Sequence, residues 1–199
     1  MRHVISVLVE NHFGVLAHVS GLFSSRGFNI DSLTVGETED PTISRMTIVA
    51  KGDERILDQI MKQLDRLVDV VKVIDLTKDE MIARELVLCK VNAPAPVRSD
   101  VIQVVNTFRG KIVDVNPKNI TIEITGTESK IDAMLELLRP FGIREVVRTG
   151  LVAMSRVSDG YKVPPPPAGV YPDVNIDNLE SNGKKKSSKK KKKLIKAKK

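Results

Sequence analysis

Residues 10–30 read ENHFGVLAHVSGLFSSRGFNI, and they decide the fold by setting one amphipathic helix between two corners rich in glycine and asparagine. Upstream, HVISVLVE (residues 3–10) is apolar on both faces in its middle, as a central strand should be. Val15, Leu16, Val19, Leu22 and Phe23 share one helical face. Ser24-Ser25-Arg26-Gly27 ends that helix, with Gly27 free to take the left-handed backbone of a C-terminal cap. Phe28-Asn29-Ile30 opens the next strand.

Working outward, Asn29 to Thr38 reads as a strand, Glu39-Asp40-Pro41 as a turn, and Ile43 to Lys51 as the returning strand. In that returning strand Met46, Ile48 and Ala50 are expected inward, Arg45 and Thr47 outward. Asp53 is a candidate N-cap for a helix with the stripe Ile56, Leu57, Ile60, Met61, Leu64 and Leu67. Val68 to Thr77 closes the unit with a β-branched run. The order strand, helix, strand, strand, helix, strand predicts a ferredoxin-like unit. After a linker at 79–83 the order repeats: strand 84–91, helix 98–108, strands 111–115 and 120–124, a helix capped by Thr127, and a last strand 143–149. The expected class is α+β, with tandem ferredoxin-like (βαββαβ) domains at 2–78 and 84–156. Residues 157–199, with four consecutive prolines and then a lysine run, read as a disordered tail.

The net charge of +7 belongs to that tail. Residues 184–199 contain 11 Lys and no acid, which leaves residues 1–183 at −4. Nucleic acid is therefore not an expected partner of the folded part. Aromatics at 4% with no Trp argue against base stacking. No run approaches the roughly 20 apolar residues of a membrane span, and MRHVISVLVEN lacks the features of a signal peptide. A lone Cys89, in parity with Val87 and Val91, reads as a buried thiol of a cytoplasmic protein.

No catalytic constellation stands out: there is no nucleophile elbow, P-loop or G-x-G-x-x-G. His12 and His18 are off the i, i+4 spacing of two ligands on one helix face, so no metal site is expected. The remaining feature is the corner. Gly14 stands where a helix begins, and the free N–H groups there favour a small anion such as a carboxylate. Asn11 and Asn29 each offer an acceptor and two donors, while Leu16, Ile30 and Leu33 offer an apolar slot. If these groups face one another, they describe a site for an aliphatic α-amino acid. The same residues also read as plain punctuation: an N-cap, a tight turn and a polar strand entry.

The stretches LVENHFGVL, GLFSSRGFNIDSLTV and DPTISRMTI, with FRGKIVDV in the second half, resemble the regulatory (small) subunits of acetolactate synthase, also called acetohydroxyacid synthase. The resemblance covers about residues 2–156 and implies an N-terminal ACT domain followed by an ACT-like domain. It implies a non-catalytic subunit that pairs as a homodimer through its ACT domains, binds a branched-chain amino acid, usually valine, and partners the catalytic large subunit. There it activates the enzyme and confers feedback inhibition. The effector site it implies comprises Asn11, Gly14 and Asn29, with His12, Phe13, Val15, Leu16 and Ile30 as neighbours. Thiamine diphosphate, Mg²⁺ and FAD are expected in the large subunit and no cofactor in this chain. The competing expectation is a stand-alone amino-acid-sensing ACT regulator whose lysine tail binds nucleic acid.

Overall fold

The computed structural model describes residues 1–77 and 80–156. The tail read above as disordered lies outside them, as do two residues between the repeats. Strand β1 (Arg2–Glu10) is buried from His3 to Val9 on both faces, as its continuous apolar run requires. Helix α1 (Val15–Ser25) buries Val15, Val19 and Phe23. It stops at Gly27 with φ +67°, so the left-handed residue is where the sequence puts it. Strands β2 (Ile30–Glu37) and β3 (Ile43–Lys51) follow. In helix α2 (Glu54–Leu64), Asp53 caps the first turn by accepting from the Ile56 N–H at 2.8 Å. Strand β4 (Val70–Asp75) completes a sheet of order β2-β3-β1-β4, the ferredoxin-like arrangement. Ile5, Val7, Met46 and Ile48 meet Val19, Phe23, Leu57 and Ile60 in the core between sheet and helices.

The second repeat has the same plan. Strand β5 (Met81–Asn92), helix α3 (Arg98–Thr107), strands β6 (Lys111–Val115) and β7 (Asn119–Gly126), helix α4 (Glu128–Leu138) and strand β8 (Ile143–Arg148) give the order β6-β7-β5-β8. Thr127 caps α4 by accepting from the Lys130 N–H, and Cys89 is fully buried beside Val87 and Val91. The Arg98 guanidinium donates to the carbonyls of Ala93, Asn116 and Pro117, which anchors the proline connector to the β6–β7 turn.

Two expectations need correction. Residues 81–83 are not linker: β5 already begins at Met81, because Met81–Arg84 pair with a further strand, β9 (Val152–Ser155). Nor is Thr47 outward in the sense of facing water; it is 2% exposed. Leu151 and Ala153 pack on Val4, Val49 and Leu76, and so cover part of the face of the first sheet that its helices leave open. The Ala153 N–H reaches the Thr47 hydroxyl at 3.5 Å, and the Leu151 N–H donates to Ser32 Oγ at 3.1 Å. β1 is thus buried twice, once by its own helices and once, at Val4, by the second repeat.

Candidate functional site

The β1–α1 loop leaves the sheet through Asn11 and enters the helix through Gly14. Gly14 has φ +95° and ψ −19°, and a Cβ there would meet nothing within 4 Å. Glycine is therefore required by backbone conformation rather than by crowding. No side chain caps α1, and its first turn carries no acid. The helix presents its opening N–H groups and the positive end of its dipole without a resident anion.

Asn11 is not the cap of α1. Its Nδ2 donates to the Pro41 carbonyl at 2.9 Å and to Glu37 Oε1 at 3.1 Å, while its N–H reaches the Thr42 carbonyl at 2.7 Å. Asn11 thereby ties the loop to the β2–β3 turn. With both amide hydrogens in use, a ligand would meet its Oδ1, an acceptor suited to an ammonium. The turn it holds is rigid in its own right, since buried Asp40 accepts from both the N–H and the hydroxyl of Thr42. Those two bonds, the hydroxyl first, hold the Asp40 carboxyl below its usual range.

Asn29 stands elsewhere. Along β3, Glu10 pairs with Ile43 whereas Ile30 pairs with Ala50. Those partners are seven strand positions apart, which at about 3.3 Å per residue is roughly 23 Å. Asn11 and Gly14 therefore sit at one end of α1 and Asn29 at the other, where its Nδ2 contacts Asp31 Oδ1 at 3.3 Å. The facing corner drawn from sequence does not form within one chain. Ile30 goes with Asn29, and Leu16 goes with Gly14. Val15 is buried in the core and so is not a contact surface. By contrast Phe13 is wholly exposed and Leu16 is 47% exposed, and Val35 projects from the edge strand β2.

The loop also carries a cluster that sequence reasoning missed. His12 Nε2 lies 3.2 Å from Asp69 Oδ1 and 3.4 Å from Glu10 Oε2. His18 Nδ1 lies 2.8 Å from Asp69 Oδ2, so this histidine on the open side of α1, its side chain 62% exposed, is tied to a carboxylate from the start of β4. His12 Nδ1 lies 3.0 Å from the Phe13 carbonyl, and since a carbonyl only accepts, the hydrogen is on Nδ1. That bond, together with the nearby carboxylates of Asp69 and Glu10, raises the pKa of His12 above its ordinary value. The His18 N–H lowers that of Asp69. Asp69 lies 57 residues from His12 in sequence, and its place within VDVVKVIDLT gave no hint of the pairing.

Residues 5–72 match the model of the AHAS small subunit-like ACT domain, and residues 84–157 match that of the small subunit of acetolactate synthase. The chain is 58% identical over 157 residues to a probable acetolactate synthase small subunit of Methanothermobacter thermautotrophicus, covering 78% of this chain and 94% of that one. It is 51% identical over 154 residues to the acetolactate synthase small subunit of Mycolicibacterium smegmatis, covering 77% and 91%. The crystal structure of the Thermotoga maritima acetolactate synthase small subunit superposes with a TM-score of 0.73 at 44% identity, over 79% of this chain and 98% of that one. With both repeats matched in order and the fold shared, the chain belongs to the acetolactate synthase small-subunit family, and its first repeat is an ACT domain.

Proposed function

We propose that this chain is the regulatory, non-catalytic partner of an acetolactate synthase large subunit, and that it senses a branched-chain amino acid, with valine the expected effector, at a seam between two copies of itself. It raises the activity of the large subunit and makes it responsive to end product. Thiamine diphosphate, Mg²⁺ and FAD belong to the large subunit in this reading, and this chain carries none of them. A stand-alone regulator with a nucleic-acid-binding tail is not favoured, because relatives that align with 78% and 77% of this chain are named as synthase small subunits.

The observation that carries the reading is the opposition of Asn11 and Asn29 across β2. β2 is an edge strand, with Asn29 immediately before it and Asn11 hydrogen-bonded to Glu37 at its far end. Two β2 edges paired antiparallel about a two-fold axis bring the start of one strand to the end of the other. Asn29 of one copy then lies beside Glu37, Asn11 and Gly14 of the second. The exposed Phe13, Leu16 and Val35 become seam residues.

In that geometry the effector carboxylate takes the free N–H groups at the start of α1, an interaction of about 0.3–1 kcal/mol from the helix dipole alone. Its ammonium meets Asn11 Oδ1, with Asn29 of the other copy closing the polar ring. Its aliphatic side chain lies against Leu16 and the other copy's Ile30. A ligand touching both copies stabilises one mode of pairing over others, which is the differential interaction that allosteric control requires. Reconstitution tests this: the catalytic subunit is assayed alone, with this chain, and with this chain plus valine. Stimulation that valine reverses is expected; no stimulation and no valine effect would refute the proposal.

A further inference from the structure

Glu10, His12 and Asp69 are brought together by the backbone itself, since the Glu10 N–H donates to the Asp69 carbonyl at 2.9 Å where β1 and β4 lie side by side. One ligand atom from each of the three falls within 4.8 Å of the others. Two of the separations, 3.2 Å and 3.4 Å, can be compared with the edge of a coordination tetrahedron. For metal–ligand bonds of about 2.0–2.1 Å that edge is about 3.3 Å. An octahedron with the same bonds has a shorter edge, about 2.9 Å.

The outer contacts are also those of a ligand set. His12 donates its Nδ1 hydrogen to the Phe13 carbonyl, which leaves the Nε2 lone pair directed at the two carboxylates. Asp69, with its side chain only 10% exposed, has its second oxygen held by His18 at 2.8 Å. Metal-binding histidines and carboxylates are characteristically oriented by such second partners. Two anionic oxygens facing one imidazole lone pair repel unless a proton or a cation lies among them.

We infer that Glu10 Oε2, His12 Nε2 and Asp69 Oδ1 form a three-ligand site for a divalent transition cation of the zinc class, with the fourth position open to water. One imidazole with tetrahedral spacing suits such a cation better than Mg²⁺ or Ca²⁺, which take all-oxygen shells of higher coordination number. A cation here clamps the β1–α1 loop to the start of β4. The inference concerns this chain's own ligands and stands apart from the effector reading.

The test uses the full-length chain after chelator treatment, titrated with Zn²⁺ by calorimetry and with Co²⁺ by visible absorption in a non-coordinating buffer. One Zn²⁺ per chain and the intense absorption of tetrahedral Co²⁺ are expected. His12→Ala should remove both signals. His18→Ala should weaken Zn²⁺ binding roughly tenfold or more as an orienting partner. Because His12 is an exposed loop residue, His12→Ala carries the test without disturbing the more buried Asp69. No Zn²⁺ uptake, equal uptake by His12→Ala, or equal affinity for Mg²⁺ or Ca²⁺ would overturn the inference.

Discussion

Asn11 and Asn29 lie at opposite ends of β3, Asn11 next to Glu10, which pairs with Ile43, and Asn29 next to Ile30, which pairs with Ala50, although the sequence sets them on either side of a single short helix. At 1.5 Å per residue the 11 residues of α1 span about 16 Å, so the two amides cannot share a small ligand within one chain. A site that needs both of them needs two chains.

The loop entry makes the first prediction. Gly14 holds φ +95° in otherwise open space. Gly14→Ala should therefore cost about 1–2 kcal/mol through the left-handed backbone alone, read as a lower midpoint in urea unfolding. It should also weaken valine binding, because the N–H groups proposed to take the carboxylate begin there. An unchanged midpoint would mean that the loop adopts another conformation.

Gly150 gives a second prediction. It has φ +84°, and a Cβ there would lie 2.3 Å from Ser32 Oγ, the atom that accepts from the Leu151 N–H. Gly150→Ala should loosen the contact of Leu151 and Ala153 with the first sheet. Faster amide exchange at Leu151 and Ala153 than in the wild type is the expected result, with the helical cores of both repeats little changed.

The Asp69 cluster predicts a pH window. Asp69 is shifted below 3.8, chiefly by the His18 N–H, so its contribution is present above 3.8 and fades as pH falls through the lowered value. His12 is shifted above 6.5, so its contribution is complete below 6.5 and is lost as pH rises through the raised value. The difference in melting temperature between wild type and Asp69→Asn should thus be largest between pH 3.8 and 6.5 and shrink on both sides. A difference independent of pH would assign Asp69 a purely packing role.

Cys89 supplies a fourth. Burial pushes its thiol up to about 11. At pH 8 it should react with a thiol-specific disulfide reagent only at the rate at which the second repeat opens. Rapid stoichiometric labelling of the native chain would place the side chain outside the core.

Much of this was legible in the sequence where it depended on local pattern. The stripe of α1, the Asp53 and Thr127 caps, Gly27 and the parity of Cys89 each follow from side chains a few residues apart. β9 was not legible: Val152–Ser155 has four residues, and only Ala153 is buried. Its partner Met81–Arg84 lies some 70 positions upstream, so no periodicity announces the pair. The burial of Thr47 follows from that strand, and a hydroxyl in a strand reads as outward when its cover is unseen. The His12–Asp69–His18 cluster was hidden for a similar reason, because register across β1 and β4 creates it. The separation of Asn11 from Asn29, by contrast, was already implied by the length of the helix between them.

The proposed two-chain site is tested most directly by mixing two variants. Asn11→Ala and Asn29→Ala chains, each purified alone, should bind little valine, since every site in either homodimer lacks one amide. Equal mixing with exchange of chains makes half of the dimers mixed, and each mixed dimer has one intact site and one doubly altered site, so about a quarter of all sites should recover. Calorimetry of the mixture should therefore show valine binding at near wild-type affinity and about one quarter of the wild-type stoichiometry. A mixture that binds no more valine than its two components would contradict a site built from two copies.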